Sequence, residues 1–148
     1  MGKEIKKAQL GNLSFGVHLA KSSDNDYAFV TGKLTAESQM PTAGKATYAG
    51  KAFYGSEESQ GFVDGTSAFT VDFANKTVNG EINVRNRTIK LLEAKIDGNK
   101  FEAKQGGNGN KEWVRGNFFG ENVAELGGVW EREVNRKGEG AVFGATKR

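Results

Sequence analysis

The chain has 148 residues and a formal net charge of +3, with 21 glycines, one proline, one histidine and no cysteine. The length predicts a single domain, and a glycine share about twice the usual one indicates many short strands joined by tight turns. The absence of cysteine excludes disulfides, thiolate nucleophiles and cysteine-ligated metals. The mild charge argues against nucleic-acid binding, and no apolar run approaches the ~20 residues of a transmembrane helix.

The first third of the chain predicts two strands after a tail. Residues 1–10 are expected to be a solvated, lysine-rich tail. Large apolar residues alternate with small or polar ones over 13–19, which predicts a strand with His18 on its polar face. A turn is expected at 22–26, and residues 27–31 return as the next strand.

The middle of the chain contains the clearest strand signals. Residues 45–54 place small and large residues alternately on one face, a rhythm that suits the crowded interior of a narrow barrel. Residues 55–65 are polar and predict a loop. Residues 69–73 and 78–84 then form a predicted hairpin that is apolar on one face and polar on the other.

The last third predicts further short strands. Residues 88–96 shift their apolar positions from odd to even, which indicates one strand with a β-bulge. A strong turn signal follows at 97–99, and 105–110 reads as a glycine- and asparagine-rich loop. Residues 121–126 predict one helical turn. Further strands are expected at 113–119, 129–133 and 141–145. Eight to ten strands result, in an all-β barrel or sandwich.

Chemical motifs in the sequence do not support an enzyme. His18 is interpreted as a surface strand residue, because no acid stands at an orienting spacing from it. The glycine-rich loop 106–109 resembles a phosphate-binding loop, but no serine or threonine follows Lys111 and no helix is predicted there. Glu131 and Glu133 share a strand face without any surrounding substrate platform, so we interpret them as exposed acids.

Five segments, taken in order, resemble the transferrin-binding-protein-B-like β-barrel family. They are M-P-T-A-G-K-A-T-Y-A-G at 40–50, F-T-V-D-F-A-N-K-T-V-N-G at 69–80, I-D-G-N-K-F at 96–101, G-N-F-F-G-E-N-V-A-E-L-G-G-V-W at 116–130 and G-A-V-F-G-A-T-K-R at 140–148. The chain departs from the family pattern at Phe119, where tyrosine is usual, and at Asn122, where proline is common.

The resemblance implies a single antiparallel eight-stranded barrel over residues 1–148, with one short helical turn near the C-terminus. It implies a non-enzymatic binding module of Gram-negative bacteria, at the cell surface on a lipid anchor or secreted. The implied ligand is a host iron carrier such as transferrin or haemoglobin. An outer-membrane receptor or a Slam-type translocon is an implied further partner.

Three polar loops are the candidate contact sites for a partner protein. Their residues are Asp24, Asn25 and Asp26 in the first loop, Glu57, Glu58 and Phe62 in the second, and Asn108, Asn110 and Lys111 in the third. No catalytic residue and no metal ligand is predicted.

Three alternatives remain open at the level of the sequence. The chain could carry haem through His18 or hold a small apolar ligand, although the G-x-W motif that lipocalins have near the N-terminus is missing there. It could be a structural or export-signal barrel whose partner domain does the binding. It could also be a surface protein that binds complement regulators, since the resembling family includes such members.

Overall fold

The computed structural model describes residues 4–19, 27–56 and 61–148. Its strands are β1 Glu4–Gln9, β2 Leu13–Leu19, β3 Tyr27–Gly32, β4 Lys45–Ser56, β5 Phe62–Asp72, β6 Thr77–Val84, β7 Arg87–Lys90, β8 Ala94–Asp97, β9 Lys100–Gly107, β10 Asn110–Phe119, β11 Glu125–Val134 and β12 Lys137–Lys147. The only helical segments in these ranges are 3-10 turns at Glu37–Gln39 and Glu121–Val123. The all-β prediction is confirmed, and a helical turn does begin at Glu121.

The strands form two antiparallel sheets. The smaller sheet has the order β1-β2-β3. In the larger sheet β4 pairs with β5, β5 with β6, β6 with β8, each strand from β8 to β12 with the next, and β12 with β4. The pairings therefore return to their starting strand, and β7 extends this sheet as a hairpin partner of β6. The predicted single barrel did not include the separate smaller sheet.

The interior of the larger sheet is filled by aromatic side chains. Its fully buried residues include Tyr48, Phe101, Phe118, Trp130 and Phe143. These large residues are accommodated by glycine on neighbouring strands. A Cβ atom at Gly116 would lie 2.4 Å from the Phe101 ring. The alternation of small and large residues predicted for β4 is thus part of a close-packed core.

The smaller sheet packs on the outside of the larger one. Leu13, Phe15 and Val17 are buried against Phe53, and the rings of Phe15 and Phe53 lie 5.6 Å apart. At one end of this interface the buried Glu125 carboxylate accepts hydrogen bonds from the backbone nitrogens of residues 11 and 12, at 2.8 and 2.6 Å. Residues 4–9 were expected to be part of a tail, but they form β1, one of the two outer strands of this sheet.

Four local predictions differ from the structure. Residues 88–96 are not one bulged strand, because β7 and β8 are separate and pair with different parts of β6. The apolar positions change phase there because the chain leaves the sheet at 91–93.

The other three predicted segments are shorter than expected. The loop predicted at 55–65 is shorter, since β4 continues to Ser56 and β5 already begins at Phe62. The loop predicted at 105–110 is shorter too, since β9 continues to Gly107 and β10 begins at Asn110. The helical turn predicted over 121–126 ends at Val123. The chain has twelve strands in its described part, more than predicted.

The larger sheet has two different ends. We call the end where β4 begins and β12 finishes the closed end. The 3-10 turn Glu121–Val123 lies there, and the Tyr48 hydroxyl donates a 2.6 Å hydrogen bond to the Val123 carbonyl. The Thr35 hydroxyl donates another, also 2.6 Å, to the Gly120 carbonyl. We call the opposite end, where β4 finishes, the loop end.

Candidate binding surface

Cross-strand register brings two of the predicted contact loops to the loop end. Gly55 pairs with Phe62, and the next residue, Ser56, pairs with Glu139 of β12. On the same side of the molecule, Lys111 pairs with Glu133 at the end of β11. Ser56 at the end of β4, Phe62 at the start of β5 and the segment 107–111 are far apart in sequence, and all lie at the loop end.

The turn between β9 and β10 is exposed and polar. Asn108 adopts a left-handed conformation with φ of 52°, which asparagine tolerates better than most residues. The Asn110 side-chain oxygen accepts a 3.4 Å hydrogen bond from the backbone nitrogen of Asn135 in the neighbouring turn. The Lys111 ammonium lies 3.9 Å from the exposed Glu133 carboxylate. Asn108, Asn110 and Lys111 therefore present an accessible surface.

Phe62 is less exposed than the predicted contact residues of the turn between β9 and β10. It is half-buried and packs in the cluster between the two sheets, with its ring over Gly55. A Cβ atom at Gly55 would lie 2.8 Å from this ring. Phe62 therefore helps to join the sheets. Glu57 and Glu58 lie outside the described residues.

The smaller sheet also reaches towards the loop end. Lys6 pairs with Val17, and its ammonium lies 3.4 Å from the Asp64 carboxylate of β5. His18 and Tyr27, one residue further along, are the cross-strand pair next to segment 20–26. The predicted contact residues Asp24, Asn25 and Asp26 lie outside the described residues.

His18 stacks on Tyr27 on the outer face of the smaller sheet. The two rings are nearly parallel, at 6°, with centroids 4.9 Å apart. Nδ1 of His18 is buried and has no hydrogen-bond partner among the described residues. His18 lines neither of two grooves of about 430 Å³ that the described residues form.

A network of charged side chains crosses the mouth of the larger sheet at the loop end. Glu139 of β12 accepts hydrogen bonds from Arg87 at 2.9 Å, from Arg132 at 2.6 Å and from the Tyr54 hydroxyl at 2.5 Å. The guanidinium of Arg132 also lies 5.2 Å from the centre of the Trp130 ring. These contacts tie β4, β7, β11 and β12 together beneath the exposed turns.

The network changes the proton affinities of its members. Burial alone would raise the pKa of Glu139, but the hydrogen bonds from Arg87, Tyr54 and Arg132 outweigh burial and lower the pKa to about 2. Burial and the hydrogen bond to Glu139 raise the pKa of Tyr54. At neutral pH the network therefore consists of an ionised carboxylate held by two cations and a neutral phenol.

Reasoning from the sequence missed this network. Glu139 stands at the same strand parity as Ala141 and Phe143, which are buried. A charged residue in register with buried apolar ones was the signal that could have identified it. Its partners come from three other strands, and no spacing rule in the sequence connects them.

The described residues contain neither a metal-ion site nor a membrane-spanning helix. No group of three or more histidine, aspartate or glutamate side chains there is placed to hold a metal ion. The same ranges contain no helix with the length and apolarity needed to cross a membrane.

Comparison with known proteins identifies the family. Residues 40–147 match the family model described as the C-lobe and N-lobe β-barrels of Tf-binding protein B. The chain belongs to this family. The match contains all five segments that carried the resemblance, apart from the last residue of the final one. The resemblance to transferrin-binding-protein-B-like barrels is therefore confirmed.

Individual relatives agree with this assignment. Transferrin-binding protein B of Moraxella catarrhalis is 30% identical over an alignment that covers 99% of this chain and 24% of the relative. A solved transferrin-binding protein B from Haemophilus parasuis superposes with a TM-score of 0.71 at 25% identity, covering 98% of this chain and 37% of that one. This chain thus spans well under half of either protein.

A second kind of solved structure shares the fold. HpuA from Kingella denitrificans, solved in complex with human haemoglobin, superposes with a TM-score of 0.74 at 19% identity. That match covers 100% of this chain and 58% of HpuA. At this identity the likeness concerns the fold alone.

Proposed function

We propose that the chain is a non-enzymatic binding lobe that captures a host iron-carrier protein, transferrin or haemoglobin. Membership in the family of Tf-binding protein B lobe barrels supports this proposal. The Glu139 network also favours binding over catalysis, because its charged groups are already bonded to one another. A rigid all-β scaffold that displays polar turns is a common arrangement in binding modules.

We further propose that the partner contacts the loop end. The observation that carries this proposal is the register, which places the exposed 107–111 hairpin beside the end of β11 and at the same end of the sheet as the end of β4. The cross-strand pair His18 and Tyr27 of the smaller sheet also lies towards this end. The Glu139 network beneath the turns would hold them in place, which lowers the entropy cost of binding.

The closed ring of pairings supports a finer description of the scaffold. We propose that β4, β5, β6 and β8 to β12 form an eight-stranded barrel and that residues 1–148 make one domain, with the smaller sheet packed on its outside. We also propose that the lobe acts at the bacterial surface, on a lipid anchor or secreted, with an outer-membrane receptor or a Slam-type translocon as a further partner. A solved structure of the same fold that is named a surface lipoprotein supports the surface location.

Binding measurements with matched variants test the proposal. The immobilised chain should retain iron-loaded transferrin or haemoglobin at about 10 µM, an affinity that corresponds to roughly 7 kcal/mol. Lys111→Glu combined with Asn110→Ala should weaken binding by about tenfold, or ~1.4 kcal/mol. Lys76→Glu is the control, since Lys76 is an exposed lysine in a turn at the closed end.

The outcomes separate the two parts of the proposal. If neither host protein is retained, the iron-carrier function is wrong. If one host protein is retained but Lys76→Glu weakens its binding as much as the loop-end variant does, the proposed function is supported and the proposed location of the contact is wrong. Circular dichroism of each variant establishes that the comparison is made between folded proteins.

A further inference from the structure

The two outer strands of the smaller sheet differ in how they are protected. An edge strand exposes unpaired backbone groups, and natural proteins usually protect such an edge with charges, proline or a bulge. The sequence of β1 is E-I-K-K-A-Q, with three charges, whereas β3 reads Y-A-F-V-T-G and has no charge and no proline. Within the described residues, β3 pairs with β2 alone. Its second edge is therefore unprotected.

A groove of about 430 Å³ runs beside this edge, on the outer face of the larger sheet. Val30 of β3 forms one wall and lies over Gly127 of β11, where a Cβ atom would be 3.1 Å from the valine methyl. Strands β8, β9, β10 and β11 supply the rest of the lining. After Gly32 the chain crosses towards β10, where Leu34 bridges Phe119.

Several hydrogen-bond donors in and beside the groove have no acceptor among the described residues. Arg115 of β10 and Lys100 of β9 line the groove, and neither side chain bonds to a described residue. The buried Nε1 of Trp113, on the same outward face of β10 as Arg115, also has no partner there. The groove's two acids face these cations in the strand register, with Glu102 opposite Arg115 and Asp97 opposite Lys100. With Lys95, the lining carries three cations and two acids, so its net charge is positive.

We propose that an extended, acidic segment of a partner protein adds as a fourth strand to the free edge of β3. Its backbone would pair with Tyr27–Gly32, a length of ~20 Å. Because side chains alternate between the two faces of a strand, every second residue would point down onto the larger sheet. Carboxylates at those positions would meet Arg115 and Lys100. This site is separate from the loop-end contact and does not depend on the iron-carrier function.

Nuclear magnetic resonance with designed peptides tests the proposal on the whole chain. The probe is a blocked hexapeptide in which glutamate alternates with threonine, and its counterpart carries lysine in place of glutamate. The acidic peptide should shift the backbone amides of Tyr27–Gly32 and the indole N–H signal of Trp113. The indole of Trp130 is an internal control, because its Nε1 already donates a 3.0 Å hydrogen bond to Glu112.

Two further changes separate strand addition from simple charge attraction. Arg115→Glu should lower the affinity for the acidic peptide at least about tenfold. Arg136→Glu, an exposed change in the turn between β11 and β12, should leave that affinity unaltered. Methylating alternate amide nitrogens of the peptide should abolish binding in one register and not in the other. Only an added strand uses every second N–H for pairing.

Several results would overturn the proposal. Absence of binding at about 1 mM peptide, an affinity limit of roughly 4 kcal/mol, would contradict it. So would equal binding of the lysine peptide, or signal shifts confined to residues outside β3 and the groove. Concentration-dependent broadening of the β3 amides without peptide would assign the edge to a second copy of this chain instead.

Discussion

The closed end and the loop end of the larger sheet are stabilised by different chemistry. At the closed end a 3-10 turn is held by neutral hydrogen bonds, from Tyr48 to Val123 and from Thr35 to Gly120, over a core of aromatic rings. At the loop end the corresponding position is occupied by the ionised Glu139 and its two arginine partners. The Glu125 carboxylate and the Lys147 ammonium also lie at the closed end, but they bond to backbone groups, whereas the loop end joins its strands through ion pairs between side chains.

This difference has consequences for how each end responds to its surroundings. Apolar packing and neutral hydrogen bonds do not depend on pH within the range in which the groups stay neutral. A carboxylate bonded to arginines does depend on pH, because its protonation removes the attraction. Acid can therefore weaken the loop end while the hydrogen bonds of Tyr48 and Thr35 at the closed end persist.

The largest effect is expected from a core change near the closed end. Phe118 is fully buried and lies 5.5 Å from Phe101, 5.7 Å from Phe73 and 6.2 Å from Tyr48, measured between ring centres. Phe118→Ala should lower the free energy of unfolding by about 3–5 kcal/mol, because it leaves a cavity among three rings. Urea unfolding measures this, and a loss below about 1 kcal/mol would contradict the packing described.

A smaller effect, with a defined pH window, is expected at the loop end. Glu139→Gln should cost about 2 kcal/mol at pH 7, because two arginines and a phenol lose an ionised acceptor. The pKa of Glu139 falls from its ordinary 4.5 to about 2 on folding. The unfolded chain thus binds more protons between these values, and the contribution is present above pH 4.5 and disappears as the pH falls towards 2.

Urea unfolding of wild type and Glu139→Gln between pH 7 and pH 2 measures this contribution. The stability difference between the two proteins should shrink below pH 4.5. Glu121→Gln, an exposed change at the closed end, is the matched control and should track the wild type at every pH. A difference between wild type and Glu139→Gln that stays constant down to pH 2 would show that the charge of Glu139 does not stabilise the fold.

The smallest loss of stability is expected from removing one neutral hydrogen bond at the closed end. Tyr48→Phe should cost about 1–2 kcal/mol, because the Val123 carbonyl loses its buried donor. Burial raises the pKa of Tyr48, so its hydroxyl remains a donor throughout the acid range. The loss should therefore be equal at pH 3 and pH 7 in urea unfolding. A loss seen only at neutral pH would show that the Tyr48 hydrogen bond depends on a charged group nearby.

Local sequence patterns predicted much of the fold. The alternation over 78–84 corresponds to β6, and the turn signal at 97–99 lies at the turn between β8 and β9. These features depend on neighbouring residues, which is why periodicity identifies them. The smaller sheet was partly missed because the three charges of β1 hide its alternation, and because its packing on β11 and β12 is a long-range contact.

The candidate surface was predictable in part. Exposed Asn108, Asn110 and Lys111 follow from a glycine-rich turn between two strands. The packing of Phe62 between the two sheets could not be predicted, because its half-buried position depends on where the smaller sheet packs. The Glu139 network required knowledge of the ring closure, since Tyr54 and Glu139 are 85 residues apart in sequence and become neighbours only through the pairing of β4 with β12.

That pairing of β4 with β12 also bears on how fast the molecule folds. A chain whose contacts join distant segments must lose much loop entropy before those contacts form, so folding is slow. Here the ring cannot close until β12 is available to β4, and until then both strands keep unpaired edges. The partly folded chain is therefore open for a comparatively long time, during which it is the form that other proteins or other copies can engage.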